Sequence, residues 1–361
     1  MTVKAQHRIS GLIGSVAAFL LLYGVPNLVS QEKISPLSDY QYKRDFAQYE
    51  AIKKETDAQK RADLLMGFVK EHPISRILFY AVTDYVECMK PEIEKKNLAK
   101  ASPMIEGLLA ALPDEKTVRE AQIPVGVDEF LKDQLIPSQK MLLSALVGVY
   151  YQSNNFAKAA EAAEKAYTLA PDKALLPVLA DVYLKSQNTD KYLEYGRKIL
   201  AEFPIDQAYT VALQMAQIHL QKQEAQTAID LYSKVMEAYG DKTPPNVQEA
   251  AWNPTRAFAY GIIASGVYAN KDYTKALELF EKSAKFDPQK DDAHYFIGMC
   301  KWQNKDPEGA IEAFARSVAL NKSYAARAQK YMEELYKARH NNTLDGLDEV
   351  LAKAKSDLGI K

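Results

Sequence analysis

The sequence predicts an all-α chain in which antiparallel helix hairpins stack into a solenoid. Three stretches share one skeleton, residues 146–171, 263–288 and 297–322. Each stretch runs through an apolar segment, a polar turn and a second segment with a small residue near its centre. Self-similarity at a fixed period of roughly 20–50 residues is the mark of repeat architectures. No enzyme motif in the chain competes with this pattern.

The first stretch shows why these residue types recur. Leu146 and Tyr150 precede a polar turn at residues 153–155, and Ala159 follows in the second segment. Two antiparallel helices approach most closely where they cross, so a small side chain is expected at Ala159. Helices of this length are unstable alone and gain stability by burying apolar surface against neighbours. Pro171 ends the second helix because proline has no N–H to donate.

The later stretches repeat the small residue and add an aromatic one turn later, as Ala276 with Phe280 and Ala310 with Phe314. A helix–turn–helix unit of roughly 34 residues with a small residue, an aromatic residue and a closing proline is the tetratricopeptide signature. The chain therefore resembles the tetratricopeptide repeat family, clearly over residues 138–322. The resemblance implies a right-handed superhelical solenoid of antiparallel helix hairpins, with the first helices lining its concave side.

The spacing of the crossing residue indicates one insertion. Successive intervals are 33, 36, 48 and 34 residues, and the third exceeds an ordinary repeat by 14. Residues 241–254 form a proline-containing stretch of that length, which we expect to project from one edge and to leave the stack intact. In the second repeat, Gly196 replaces the aromatic residue and a tyrosine replaces the alanine, which predicts a distorted hairpin. The crossing positions are Ala159, Tyr192, Ala228, Ala276 and Ala310.

The segments on either side of the array have different patterns. Residues 31–38 predict a tether, and residues 39–113 predict helix hairpins that match the repeat only loosely. Residues 114–137 predict an irregular connection, because an Ile-Pro-Val-Gly-Val run interrupts the helical periodicity. Residues 323–361 predict capping helices, since a terminal repeat must present a polar outer face.

Residues 1–30 predict a secretory signal peptide or an uncleaved membrane anchor. Lys4 and Arg8 precede the apolar stretch 9–29, and Ser30 offers a small residue for cleavage. About 20 apolar residues cross a bilayer, so the uncut segment would associate with the cytoplasmic membrane. The positive charges predict a cytoplasmic N-terminus and a body exported to the periplasm or cell envelope. A buried core helix, which the Gly and Ser content disfavours, and an outer-mitochondrial anchor with a cytosolic array are the alternatives.

The chain carries no pattern typical of catalysis, metal binding or nucleic-acid binding. The formal net charge is −1, which gives no electrostatic reason to expect a phosphate backbone as ligand. Cys88 and Cys300 lack metal or haem spacing and are expected to be small buried side chains. None of the five histidines lies at metal-ligand spacing from another ligand, and no phosphate-binding loop is present. The sequence therefore predicts no cofactor, no metal site and no enzyme activity.

The concave face implied by the resemblance is aromatic and rich in amides. Such side chains suit an extended peptide or an amphipathic helix of a protein partner. Tyrosine and tryptophan also pack between adjacent hairpins, so a core role is the alternative for each. The predicted protein-binding groove consists of Tyr151, Asp181, Leu184, Gln217, Leu220, Tyr268, Tyr295, Met299, Trp302 and Gln303.

The resemblance also excludes one known binding mode. Family members that clamp a chaperone's C-terminal carboxylate use Lys, Arg and Asn on successive first helices. Ser144, Gly148, Ala174, Pro177 and Asp181 occupy the corresponding places, so this clamp is not expected.

Three functions remain open from the sequence. The first is a non-enzymatic interaction scaffold of the cell envelope that binds a peptide or helix of its partner in the groove. The second is a fixed structural subunit of a larger envelope or secretion complex. The third is a protein that binds or hydrolyses cell-wall glycans, which would use Trp252, Trp302 and Asp181.

Overall fold

A computed structural model describes residues 36–121 and 126–360 of the chain. These residues form helices and turns, and no strand occurs among them, so the predicted all-α class of stacked helix hairpins is confirmed. The segment predicted to direct export, residues 1–30, lies outside the described residues. None of the helices described combines the length and the apolar character needed to cross a membrane.

The chain divides into two compact units, unit 1 up to Tyr195 and unit 2 from Gly196 onward. In unit 1, α2 packs against α3, α4 against α7, and α7, α8 and α9 pack in succession. The helices of unit 1 are α1 (Pro36–Ile52), α2 (Ala58–Glu71), α3 (Leu78–Glu94), α4 (Leu98–Ala111), α5 (Glu115–Glu120), α6 (Val127–Phe130), α7 (Ile136–Gln152), α8 (Phe156–Leu169) and α9 (Leu175–Lys185).

Helix α10 (Thr189–Glu202) contains the boundary between the units. In unit 2, each helix from α11 to α16 packs against the next one along the chain, and α18 packs on α16. The helices of unit 2 are α11 (Ile205–Gln221), α12 (Ala225–Tyr239), α13 (Glu249–Ala269), α14 (Tyr273–Phe286), α15 (Asp291–Gln303), α16 (Pro307–Leu320), α17 (Ala325–Arg339) and α18 (Leu347–Asp357).

The segment predicted to be an irregular connection contains short helices. After α5 and α6, residues 131–135 form a π-helical turn that runs directly into α7. The Gln134 side chain accepts a hydrogen bond from the backbone N–H of Phe79 at 3.1 Å. The first N–H groups of a helix have no partner within it, so Gln134 satisfies a donor at the start of α3.

One backbone conformation recurs in the turns within the hairpins. In six of these turns a residue with φ near +60° lies directly before the N-cap residue of the second helix. From Asn154 onward these residues are 33, 36, 48 and 34 positions apart, which equals the spacing of the crossing residues. The structure therefore places the turns in the register that the sequence predicts. The left-handed turn residues are Lys96, Asn154, Gln187, Gln223, Lys271 and Lys305.

The crossing residues are buried, as the packing argument requires. Ala276 and Ala310 are completely buried, and Tyr192 is only 3% exposed although it is much larger than alanine. Opposite the crossing, Gly298 approaches the Phe314 ring so closely that a Cβ atom would lie 2.6 Å from it. A larger residue at position 298 would therefore push α15 away from α16.

The inserted stretch 241–254 is partly helical. Its first eight residues form a loop, and the rest begin α13, which reaches 21 residues. Buried Arg256 fixes the loop: its guanidinium donates to the Asp241 carbonyl at 2.5 Å and to the Asn253 side chain at 2.5 Å. The same group lies 4.1 Å from the Phe286 ring centroid. The insertion is thus held against α13 and α14.

Candidate protein-binding surface

The first helices of successive hairpins in unit 2 carry a partly exposed aromatic surface. Trp302, near the end of α15, is 36% exposed, and its ring centroid lies 5.5 Å from that of Tyr331 on α17. Tyr268 occupies the place on α13 equivalent to that of Trp302, two residues before a turn, and is half-buried. We call Tyr268, Met299, Trp302, Gln303 and Tyr331 the Trp302 surface.

A layer of buried rings supports the Trp302 surface. Phe296 packs edge-on against Tyr268 at 5.4 Å and stacks on Phe280 at 5.1 Å. Phe314 is fully buried and stacks under Tyr331 at 5.8 Å. Paired rings of this kind add roughly 0.5–1.5 kcal/mol beyond their buried area. The exposed rings are therefore fixed in place by the core beneath them.

Two of the predicted groove residues contribute to this support more than to the exposed face. Tyr295 is 8% exposed and contacts the rings of Phe314 at 5.8 Å and Tyr324 at 4.9 Å. Met299 is half-buried and packs against the same cluster. Burial raises the pKa of the Tyr295 phenol. The polar member of the surface, Gln303, is exposed.

The two remaining predicted residues of unit 2, Gln217 and Leu220, stand apart from these rings. Gln217 is exposed on α11 and Leu220 beside it is half-buried. No ring contact or hydrogen bond within the described part of the chain joins Gln217 to the Trp302 surface.

Unit 1 places its predicted residues in a smaller patch. The Tyr151 ring lies edge-on to Phe156 at 5.5 Å, and the Lys185 ammonium lies 5.6 Å from each of these ring centroids. Burial of the hydroxyl and the neighbouring Asp181 carboxylate raise the pKa of Tyr151. Leu184 on the same helix as Asp181 is 39% exposed.

Sequence reasoning missed Tyr331 because α17 was expected only to cap the array. The available signal was the recurrence of Tyr324, Tyr331 and Leu335 at helical spacing. This spacing predicts that the three side chains share one face of the helix, toward the neighbouring hairpin. The structure brings this ring against Trp302, 29 positions earlier in the sequence.

The described residues also include both cysteines of the chain. Cys88 and Cys300 are buried free thiols, as expected, and burial raises the pKa of Cys300 to about 12. The Cys88 sulfur accepts a hydrogen bond from Arg61 at 3.1 Å. No group of three His, Cys, Asp or Glu side chains in residues 36–121 and 126–360 could hold a metal ion.

Two clefts occur in unit 2, and neither resembles a closed catalytic pocket. One of about 350 Å³ lies among α16, α17 and α18, where acidic and basic side chains such as Glu312 and Lys353 already pair. The other, of about 390 Å³, is lined by apolar side chains such as Phe203 and Leu231 and by the charged Lys234 and Glu237.

Comparison with known proteins identifies the repeat type of one segment. The tetratricopeptide repeat family model matches residues 267–337. No curated protein sequence matches the chain. Solved structures that resemble it include the crystal structure of MamA, at 17% identity over 49% of this chain and 93% of that one, with a TM-score of 0.35.

Two other solved structures show similarly low scores. The C-terminal part of a TPR repeat-containing protein from Cytophaga hutchinsonii matches at 18% identity, over 58% of this chain and 78% of that one, with a TM-score of 0.36. The complex of the TPR2AB domain of yeast Sti1 with pHSP90 matches at 12% identity, over 88% and 98%, with a TM-score of 0.33. The matched segment 267–337 contains Tyr268, Trp302 and Tyr331, so the Trp302 surface lies in the part of the chain that is similar to tetratricopeptide repeats.

Proposed function

We propose that the protein is a non-enzymatic interaction scaffold that binds a peptide or helix of a protein partner on the Trp302 surface. The observation that carries the proposal is Trp302 itself, a tryptophan 36% exposed to solvent beside a second ring at 5.5 Å. Tryptophan and tyrosine dominate the binding energy of protein interfaces, because they bury large areas with few rotatable bonds.

The surface is suited to binding because it is already ordered. Tyr331 stacks on Phe314 and contacts Trp302, and Tyr268 packs against Phe296. A partner would therefore lose little free energy to the ordering of these side chains. The exposed Gln303 amide supplies a donor and an acceptor that could fix the register of a bound backbone.

Site-specific photo-crosslinking tests the proposal in the cell that makes the protein. A photoreactive phenylalanine replaces exposed Gln303 in one variant and exposed Glu278, on the second helix α14, in the control. We expect one discrete crosslinked partner from position 303 and none from position 278. Equal crosslinking at both positions would show that contact with the partner is not confined to the Trp302 surface.

Truncation of the surface gives the second test. The double variant Trp302→Ala/Tyr268→Ala should lose the partner at unchanged helicity, measured by circular dichroism. The matched control is Leu344→Ala, which removes another exposed apolar side chain of unit 2. Full capture by the double variant would refute the proposed surface, whereas loss of helicity would show that these rings are part of the core.

The proposal extends to location and assembly. Residues 1–30 would direct the chain through the cytoplasmic membrane, and sequencing the N-terminus of the native protein would show cleavage after Ser30 or an intact anchor. A reporter enzyme active only outside the cytoplasm, fused after residue 360, should be active. Purification of a complex with fixed stoichiometry would favour the alternative of a structural subunit.

A further inference from the structure

On the segments that carry the Trp302 surface, most of the side chains without an ion-pair partner are basic. Five cations lie on the helices and turns that carry it, and none has a carboxylate within ion-pair distance in the part of the chain that the structure describes. All are exposed except Lys301, which is half-buried. These cations are Lys271, Lys301, Lys305, Arg327 and Lys330.

The placement of the cations follows the geometry of the hairpins. Lys271 and Lys305 are the left-handed turn residues three positions after Tyr268 and Trp302, so both lie at the helix ends that carry the exposed rings. The Arg327 guanidinium lies 6.0 Å from the ring centroid of Tyr324. Lys301 and Lys330 are the direct neighbours of Trp302 and Tyr331 in the sequence.

The carboxylates of the same segments are mostly engaged within the fold. Asp272 and Asp306 cap α14 and α16 by accepting from backbone N–H groups at 3.0 and 2.9 Å. Asp292 pairs with Lys290 at 2.6 Å, and Asp291 accepts from the Tyr324 backbone at 2.9 Å. The two carboxylates of α17, Glu333 and Glu334, make no ion pair among the described residues, and Glu333 accepts a hydrogen bond from Gln329 at 2.7 Å. The charge left over for a ligand is therefore positive.

From this arrangement we infer that the partner segment is acidic: an amphipathic peptide whose apolar side chains pack on the Trp302 surface while its Asp and Glu residues face the five cations. The inference rests on the proposed function, because it names the chemistry of the partner at the same surface. Opposite charges at the rim of an interface chiefly favour the correct partner and speed association. Apolar contact with the rings supplies most of the affinity.

Three synthetic probes separate charge from apolar contact. The first is a peptide of about 15 residues with Leu or Phe at helical spacing and Glu or Asp between them. The second replaces each acid by its amide, and the third replaces each acid by Lys. All three have acetylated and amidated ends, so a terminal carboxylate contributes nothing. Fluorescence anisotropy at about 50 mM and about 500 mM salt measures their affinities for residues 31–361.

We expect the acidic peptide to bind roughly tenfold more tightly than the amide peptide at low salt, as several exposed ion pairs together would give. The difference should shrink at high salt because screening weakens exposed charge pairs. The lysine peptide should not bind. Equal affinity of the acidic and amide peptides would overturn the acidic class, and so would displacement of the acidic peptide by a single-stranded oligonucleotide of equal charge.

Variants of the protein distinguish this inference from the proposed function. Lys305→Gln/Lys330→Gln removes two of the five cations and should weaken binding of the acidic peptide about two- to threefold, while binding of the amide peptide stays unchanged. Lys242→Gln/Lys355→Gln, two exposed lysines elsewhere in unit 2, is the matched control and should change neither. An equal loss in both double variants would overturn the inference. If Trp302→Ala/Tyr268→Ala left all binding unchanged, the surface itself, and with it the proposed function, would be wrong.

Discussion

The tyrosines of the two units are used differently. In unit 1 several hydroxyls bond to carboxylates of other helices: Tyr49 donates to Asp84 at 2.9 Å, and Tyr150 donates to Glu106. In the described part of unit 2 no tyrosine hydroxyl donates to a carboxylate; Tyr336, for example, donates to a backbone carbonyl at 2.7 Å. The rings of unit 2 pack on each other instead.

This difference has consequences for stability and for binding. A tyrosine–carboxylate bond depends on direction and on protonation, and it leaves no apolar surface for a ligand. A cluster of stacked rings depends on packing and leaves ring faces at the solvent. The stability of unit 1 should therefore depend on pH and on single hydroxyl groups, whereas the stability of unit 2 should depend on ring volume.

Loss of ring volume in unit 2 should have the largest effect. Phe314 is fully buried between Tyr295 and Tyr331, so Phe314→Ala should lower the free energy of unfolding by about 3–5 kcal/mol. Both tryptophans of the chain, Trp252 and Trp302, lie in unit 2, so tryptophan fluorescence in a urea titration follows this unit alone. A loss below about 1 kcal/mol would show that the cluster does not stabilise unit 2.

The sequence predicted the parts of this cluster that depend on local spacing. Ala276, Phe280, Ala310 and Phe314 were placed correctly because small and aromatic residues recur at helical intervals within one hairpin. Contacts between hairpins could not be predicted in the same way. The partners Tyr49 and Asp84 are 35 positions apart, and their pairing depends on how two hairpins align.

The candidate surface shows the same limit. Trp302 and Tyr268 were predicted to line the groove because the repeat pattern places them on the first helices of their hairpins. Tyr331 and the buried position of Tyr295 depend on the packing of α17, which the sequence predicted only to cap the array. The five cations were visible in the sequence, but their lack of partners was not, because it depends on which carboxylates cap helices.

Removal of a single hydroxyl group should have the second-largest effect, and its cost in stability should differ between the units. Tyr49→Phe removes a hydrogen bond from a buried ring to Asp84 and should cost roughly 1–2 kcal/mol. Tyr268→Phe is the matched change in unit 2 and should stay within about 0.5 kcal/mol, since its ring contacts remain. Hydrogen-exchange mass spectrometry measures both by the protection of α1–α3 and α13–α15. Equal losses of stability in the two variants would show that the tyrosine hydroxyls of the two units contribute alike.

Alkaline pH should weaken unit 1 before unit 2. Burial raises the pKa of Tyr85 from 10 to about 12, and burial together with the hydrogen bond to Glu164 raises that of Tyr195 to about 12. Both groups stay protonated in folded and unfolded chains below pH 10. Between pH 10 and 12 the unfolded chain loses these protons first, so each group costs about 1.4 kcal/mol of stability per pH unit.

Burial also raises the pKa of Tyr232 in unit 2 to about 12, so this unit weakens as well but with fewer groups that face carboxylates. In a titration above pH 10, circular dichroism, which follows the helices of both units, should change before tryptophan fluorescence does. Tyr195→Phe should move the first change to higher pH. If tryptophan fluorescence changed at a lower pH than circular dichroism, unit 2 would be the less stable unit at alkaline pH and the prediction would be wrong.

The turns should give the smallest effect and the same one in both units, because their backbone geometry is shared. Gln187 in unit 1 and Gln223 in unit 2 have φ angles of 59° and 61°, in the left-handed region where a Cβ atom is unfavourable. Replacing either by Gly removes that strain, at some cost in unfolded-chain entropy, and should stabilise its unit by about 0.5–1 kcal/mol. Urea titrations that showed a gain in only one unit would mean that the turns, like the tyrosines, differ between the units.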